Sequence, residues 1–170
     1  MGYPQWGMGK WGMRKRIVDP SLAQFSRDSE HGWLDLRQIA TVELTSEDPH
    51  FPIDAALNPE AGGGWRASQS GEQLIRLIFD EPISLCRIQL HFLEAERERT
   101  QEFTLRWSSA SGGTAKQIIR QQWNFNPAGS TSEVEDYHVS LDNVSVLELM
   151  IQPDVKHHAV PATLAMWRLA

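Results

Sequence analysis

From residue 38 onward the sequence predicts an all-β fold, a sandwich or jelly roll. Three observations carry this expectation. Apolar and polar residues alternate in run after run, which buries one face of a strand and wets the other. Turn-forming residues separate the runs, as in "DEP", "SASGG", "NPAGS", "LDN" and "QPD". Little of the chain has a helical period, and short strands at fairly regular spacing are the signature of a sandwich or barrel.

The elements follow in order. "IATVEL" starts the series. "QLIRLIF" sets Ile75, Leu77 and Phe79 against Leu74, Arg76 and Ile78. "SLCRIQLHFL" sets Cys86, Ile88, Leu90 and Phe92 against Arg87, Gln89 and His91, so Cys86 is expected in the core. "QEFTLRWS" places Phe103, Leu105 and Trp107 on one face. "KQIIRQQWNF", "DYHVSL", "SVLELMI" and "TLAMWRL" complete about eight short strands. No second domain and no convincing repeat is found. The expected division is an N-terminal arm and lead-in over residues 1–37 and one domain over 38–170.

At 170 residues the chain has the usual size of one domain and can bury about 70% of its unfolded surface. No apolar run approaches the roughly 20 residues of a membrane span. The first residues have no apolar leader core. The one cysteine excludes an internal disulfide. A cytoplasmic location is the expectation.

The net charge of −6 is uneven. Residues 1–16 carry Lys10, Arg14, Lys15 and Arg16 and no acid, whereas the rest has 12 basic and 22 acidic residues, a balance of −10. So acidic a body argues against nucleic acid as a partner, which needs clustered Lys and Arg. The arm "MGYPQWGMGKWGMRKR" repeats Trp-Gly-Met and has no regular period. It packs its tryptophans on the body or docks on a partner. "DPSLAQF" reads as a short helix capped by Asp19 with Pro20 in its first turn.

Taken in order, the phrases "ATVELTSED", "IDAALNPEAGGGWRA", "QLIRLIFDEP", "SLCRIQLHF", "EFTLRWSSASGG", "YHVSLDNVSVLELMIQPD" and "ATLAMWRLA" resemble the discoidin, or coagulation factor V/VIII type C, family. That family lies within the galactose-binding-like superfamily. The likeness covers about three quarters of the chain. It implies an eight-stranded antiparallel jelly roll that binds without catalysis, through loops at one end. Members bind sugars, phospholipid head groups, proteins or occasionally nucleic acid, and fold alone does not choose among them.

The candidate site residues follow from that likeness and from side-chain chemistry. "NPEAGGGWRAS" matches no phosphate loop, because Trp65 and Arg66 stand where Lys and Ser or Thr are needed. Its glycines are read as geometry that lets Trp65 pack into the sandwich end. The other reading makes Trp65 a stacking platform. Relatives often hold calcium here, but Leu57, Asn58 and Ala165 replace the expected acids, so no metal is expected. Arg66 and His50 lie in loops that face ligand in relatives. In "EAERERTQE", Arg97 and Arg99 offer donor forks to hydroxyls or carboxylates. In "RQQWNFNPAG", Trp123 offers a stacking face and Asn124 an amide, unless the aromatics are core and the asparagines serve the turn. In "DVKHHA", His158 is a ligand candidate, and adjacent histidines point apart, against a shared zinc.

No catalytic motif is present and no cofactor is expected. The leading expectation is a non-catalytic carbohydrate-recognition module with a sugar ligand. The alternative is an intracellular protein-interaction or assembly module with a protein partner, docking through the basic arm.

Overall fold

The fold is described from a computed structural model, over residues 32–58, 60–110 and 113–170. The Trp-Gly-Met arm and the "DPSLAQF" helix expectation lie outside the described residues. Among the described residues, two short helices, α1 (Leu36–Ile39) and α2 (Ile53–Leu57), accompany eight strands. These are β1 (Ala40–Leu44), β2 (Trp65–Ser70), β3 (Gln73–Leu93), β4 (Arg99–Ser108), β5 (Lys116–Phe125), β6 (Ser132–Gln152), β7 (Pro161–Leu164) and β8 (Met166–Leu169). All the pairings are antiparallel. The protein is an all-β sandwich, as the alternation predicts.

Strands β3 and β6, at 21 residues each, serve both layers. Residues 75–79 of β3 pair with β1 and residues 73–78 with 146–151 of β6, and β4 and β5 extend this first layer in the order β1-β3-β6-β4-β5. Beyond the bend, residues 83–93 of β3 pair with 132–144 of β6 and with β8 in the second layer. Strands β2 and β7 form a separate two-stranded sheet. The sequence breaks "DEP" and "LDN" are therefore bends within continuous strands rather than turns between short ones. The register slips between Ile78 and Ile83 and again before Leu85, and Asn143 takes the left-handed backbone (φ 56°) in the facing strand. A short polar residue such as Asn tolerates that conformation. "TLAMWRL", read as one strand, divides into β7 and β8 at Ala165.

The core lies between the layers. Ile75, Leu77, Ile88, Leu90, Phe92, Phe103, Leu105 and Leu149 are essentially solvent-free. Phe92 of the second layer stacks on Phe103 of the first with ring centroids 5.2 Å apart. Cys86, expected in the core, is exposed. A bulge causes this: the amides of Cys86 and Arg87 both donate to the Ala170 carbonyl, at 2.7 and 2.9 Å. The extra residue reverses the side-chain parity, so Leu85 enters the core in its place. Ahead of Gln38 the chain already packs on the body. The Leu34 amide donates to Leu169, and the guanidinium groups of Arg87 and Arg168 lie 4.8 and 4.6 Å from the Trp33 ring centre.

Strand β6 forms one edge of the second layer, and its first half turns Glu133, Glu135 and Tyr137 inward, as partners of Phe92, Leu90 and Ile88. Inward carboxyls on an edge strand oppose pairing with another chain. Glu133 is buried, and apart from the neighbouring Glu135 its oxygens have no hydrogen-bond partner among the described residues. Burial, with Glu135 beside it, pushes its pKa up from 4.5 to about 8. The Tyr137 hydroxyl donates to Glu135 at 2.7 Å.

This arrangement gives the fold a pH dependence of defined sign. As pH rises from about 4.5 to about 8, the unfolded chain releases the Glu133 proton and the folded chain keeps it, so stability falls. Glu133→Gln should flatten that slope, and denaturant unfolding from pH 4 to 9 would measure it. An equal slope in both proteins would refute the assignment.

Candidate functional site

The Gly-Trp loop is shaped by backbone constraint. Gly62, Gly63 and Gly64 all have φ between 65° and 86°, a region costly for other residues. Gly64 also lies so close to β7 that a Cβ would sit 2.7 Å from the Leu164 carbonyl oxygen. This approach seats Trp65 in the core, 1% exposed, which agrees with the packing reading and leaves no stacking face. The Asn58 side chain accepts the Glu60 amide and serves the turn. Among the described residues no group of three His, Cys, Asp or Glu side chains converges to hold a metal.

A polar cavity of about 520 Å³ lies where β4 begins, β5 ends and the β6–β7 loop crosses. Three predicted residues reach it from three segments: Arg99, Asn124 and His158. Glu98, Thr100, Asn126, Asp154 and Lys156 complete its polar wall.

Arg99 forms the floor. Its side chain is 1% exposed and pairs with Glu94 at 3.0 Å. It also donates to the Pro153 carbonyl at 3.2 Å and the Thr163 hydroxyl at 3.3 Å. Burial depresses its pKa, opposed by Glu94 and Asp154. Arg99 therefore ties two loops and strand β7 together, and its fork is already engaged within the protein. Glu94 shapes the β3–β4 loop by accepting the amides of Glu96 and Arg97. Glu94 thus organises the loop that carries Arg97 and Arg99. Arg97 is exposed and lies outside the cavity lining.

The β6–β7 loop is held by Asp154. Burial opposes its ionisation, but the Lys156 amide and His158 hold its carboxyl below the usual aspartate range. It accepts the Lys156 amide at 3.0 Å and pairs with Nδ1 of His158. The Val155 amide donates to Thr100 at 2.8 Å, which pins the loop to β4. His157, in the left-handed backbone (φ 58°), turns instead to Gln152 at 3.0 Å. The two histidines do point apart. The ring of His158 and the Lys156 ammonium remain exposed at the rim.

Trp123 and Asn124 are neighbours in sequence but face opposite sides of β5. The Trp123 ring is half-buried against the core and is not part of the cavity lining, which runs against its stacking role. Asn124 turns outward and accepts the Thr100 hydroxyl at 2.7 Å. Asn126 accepts the Ala128 amide and serves the turn. His50 and Arg66 form a second cluster. His50 is 88% exposed beside Asp48, and the Arg66 guanidinium lies 4.3 Å from the Phe51 ring centre. Neither lines the cavity; Thr163, which pairs with Arg66 across β2–β7, accepts from Arg99. Lys156 and Thr100 escaped sequence reasoning. For Lys156 the signal was present, since "DVKHHA" is a short polar link between two apolar strands.

No protein-family model and no curated protein matches the sequence. Solved structures do share the fold. The family 32 carbohydrate-binding module of Clostridium perfringens NanJ, solved with galactose, superposes with a TM-score of 0.59 and 12% identity, over 81% of this chain and 96% of that one. A pectin-binding carbohydrate-binding module superposes at 0.55 with 18% identity, over 78% and 90%. The N-terminal domain of the single-strand break repair protein XRCC1 superposes at 0.55 with 10% identity, over 77% and 97%. The protein thus shares the antiparallel β-sandwich fold of these structures, and at these identities the likeness is one of fold.

The loop geometry is open to a direct check. Gly64→Ala should destabilise the protein by about 2 kcal/mol or more, through the clash with Leu164 and the left-handed backbone. Gly63→Ala, with open space around it, should cost only the backbone strain of about 1 kcal/mol. Thermal melts of the two would rank them, and equal losses would refute the close-approach argument.

Proposed function

We propose that this protein is a non-catalytic carbohydrate-recognition module whose ligand enters the cavity between β4, β5 and the β6–β7 loop. One observation carries the reading: Arg99, Asn124 and His158, drawn from three distant segments, converge on a single polar cavity at the loop end. Solved structures that share this fold include modules with bound sugars. The amide of Asn124, the ring of His158 and the ammonium of Lys156 suit ring hydroxyls, which both donate and accept. Arg99 and Asp154 hold the walls in place, so little ordering remains for ligand to impose. The cavity is open and wet, which favours weak single-site affinity.

Titration with galactose and a panel of neutral and acidic monosaccharides, followed by amide chemical shifts, tests this. Binding should perturb Asn124, Lys156 and His158. His158→Ala and Asn124→Ala should each weaken it about fivefold, the effect of one lost hydrogen bond, with the melting temperature little changed. Absence of binding across the panel would overturn the reading.

A second reading, protein interaction through the same fold, draws on the outer face of the second layer. Leu93 and Val134, 50% and 57% exposed, are diagonal neighbours there. Should this face bind a protein, Leu93→Ser with Val134→Ser would abolish capture of the partner and leave sugar binding unchanged.

A further inference from the structure

A trough of about 720 Å³ opens on the far side of His158 from the loop-end cavity. It continues into a third concavity of about 270 Å³, and the two share Glu72, Glu102, Arg120 and Gln152. The floor of this path is the outer face of β4 and β5. Thr100, Glu102, Thr104 and Arg106 form one row, and Asn124, Gln122 and Arg120 form the row beside it. The turn at Ser70–Glu72 and the loop of Val155, His157 and His158, joined by the Gly71 amide donating to the Val160 carbonyl, wall it. From Thr100 to Arg106 the path runs about 20 Å, at roughly 3.3 Å per residue.

We propose that this trough binds an extended, uncharged glycan chain whose end occupies the loop cavity. The proposal rests on the sugar-binding reading above and extends it from a single ring to a polymer. Side chains on one face of a strand repeat every two residues, about 7 Å. Two such rows make a periodic ladder of hydroxyls, amides and charged groups, and a periodic ladder matches a ligand that is itself periodic.

Charge balance argues for an uncharged chain. Arg120 pairs with Glu102 at 2.8 Å and Arg106 with Glu148 at 3.3 Å, so the guanidinium groups of the floor are neutralised. An acidic polymer would have to break those pairs. Hydrogen-bonding capacity remains after the internal bonds are made. Gln122 donates to Glu102 through its amide nitrogen, which leaves the amide oxygen to accept. Asn124 accepts from Thr100, which leaves its amide protons to donate. Hydroxyls of a sugar chain use both.

The experiment compares galactose, galactobiose and galactotetraose by calorimetric titration, then galactan, glucomannan, xylan and polygalacturonate by affinity electrophoresis. Two variants leave the loop cavity intact: Gln122→Ala with Arg120→Ala, and Thr104→Trp, which blocks the path at the third concavity. At least one neutral series should bind tenfold or more tightly as a chain than as a single sugar. Both variants should remove that gain and leave monosaccharide affinity unchanged. Monosaccharide binding with no gain from length, or a gain that both variants retain, overturns the trough proposal and leaves the loop-end reading standing. Tighter binding of polygalacturonate than of every neutral chain overturns the uncharged class. No binding to any sugar overturns both readings.

Discussion

The pairing of β3 with β6 is the constraint on which the rest depends. Two strands of 21 residues run antiparallel and bend together, so each contributes to both layers. A bend in one strand alone would break the ladder and leave buried amides without partners. The shared bend keeps most of the ladder and folds the sheet over its own apolar face. Phe92 then meets Phe103 across the interior. Strands β1, β4 and β8 attach to edges that this pair supplies, and β5 adds to β4.

Loops inherit their positions from that frame. The start of β4 and the ends of β5 and β6 come to one end because Arg99 pairs with Phe125 and Glu102 with Gln152. Arg99 then bridges loops that are far apart in sequence, contacting Glu94, Pro153 and Thr163 from one guanidinium. A buried cation is tolerable only when it is paired and hydrogen-bonded, so these contacts depend on one another. The same residue that sequence chemistry nominates for ligand binding thus becomes the brace that shapes the cavity. Asp154 does the equivalent within its own loop, and presents His158 outward.

The outer faces divide the labour differently. On the first layer, ion pairs and amides line β4 and β5 in regular rows. On the second, the lead-in chain lays Trp33 against Arg87 and Arg168. The free edge of β6 is guarded by carboxyls that point inward, where a neutral Glu133 is cheaper to bury than an ionised one. Such an edge discourages sheet-to-sheet association without a covering element.

Alternation in the sequence by itself determined the all-β class, the buried faces of "QLIRLIF" and "EFTLRWS", and the glycine loop as a device for seating Trp65. Local period and turn chemistry suffice for these, because burial of one strand face is a short-range pattern. Tertiary structure decided the rest. Whether "DEP" and "LDN" end a strand or bend it depends on the partner across the sheet. The exposure of Cys86 depends on two amides sharing the Ala170 carbonyl, a residue 84 positions away. The opposite fates of Trp123 and Asn124 follow from which face of β5 meets the core. The convergence of Arg99, Asn124 and His158 is a property of strand order, and strand order is set by pairings between residues far apart in the chain, which no local pattern encodes.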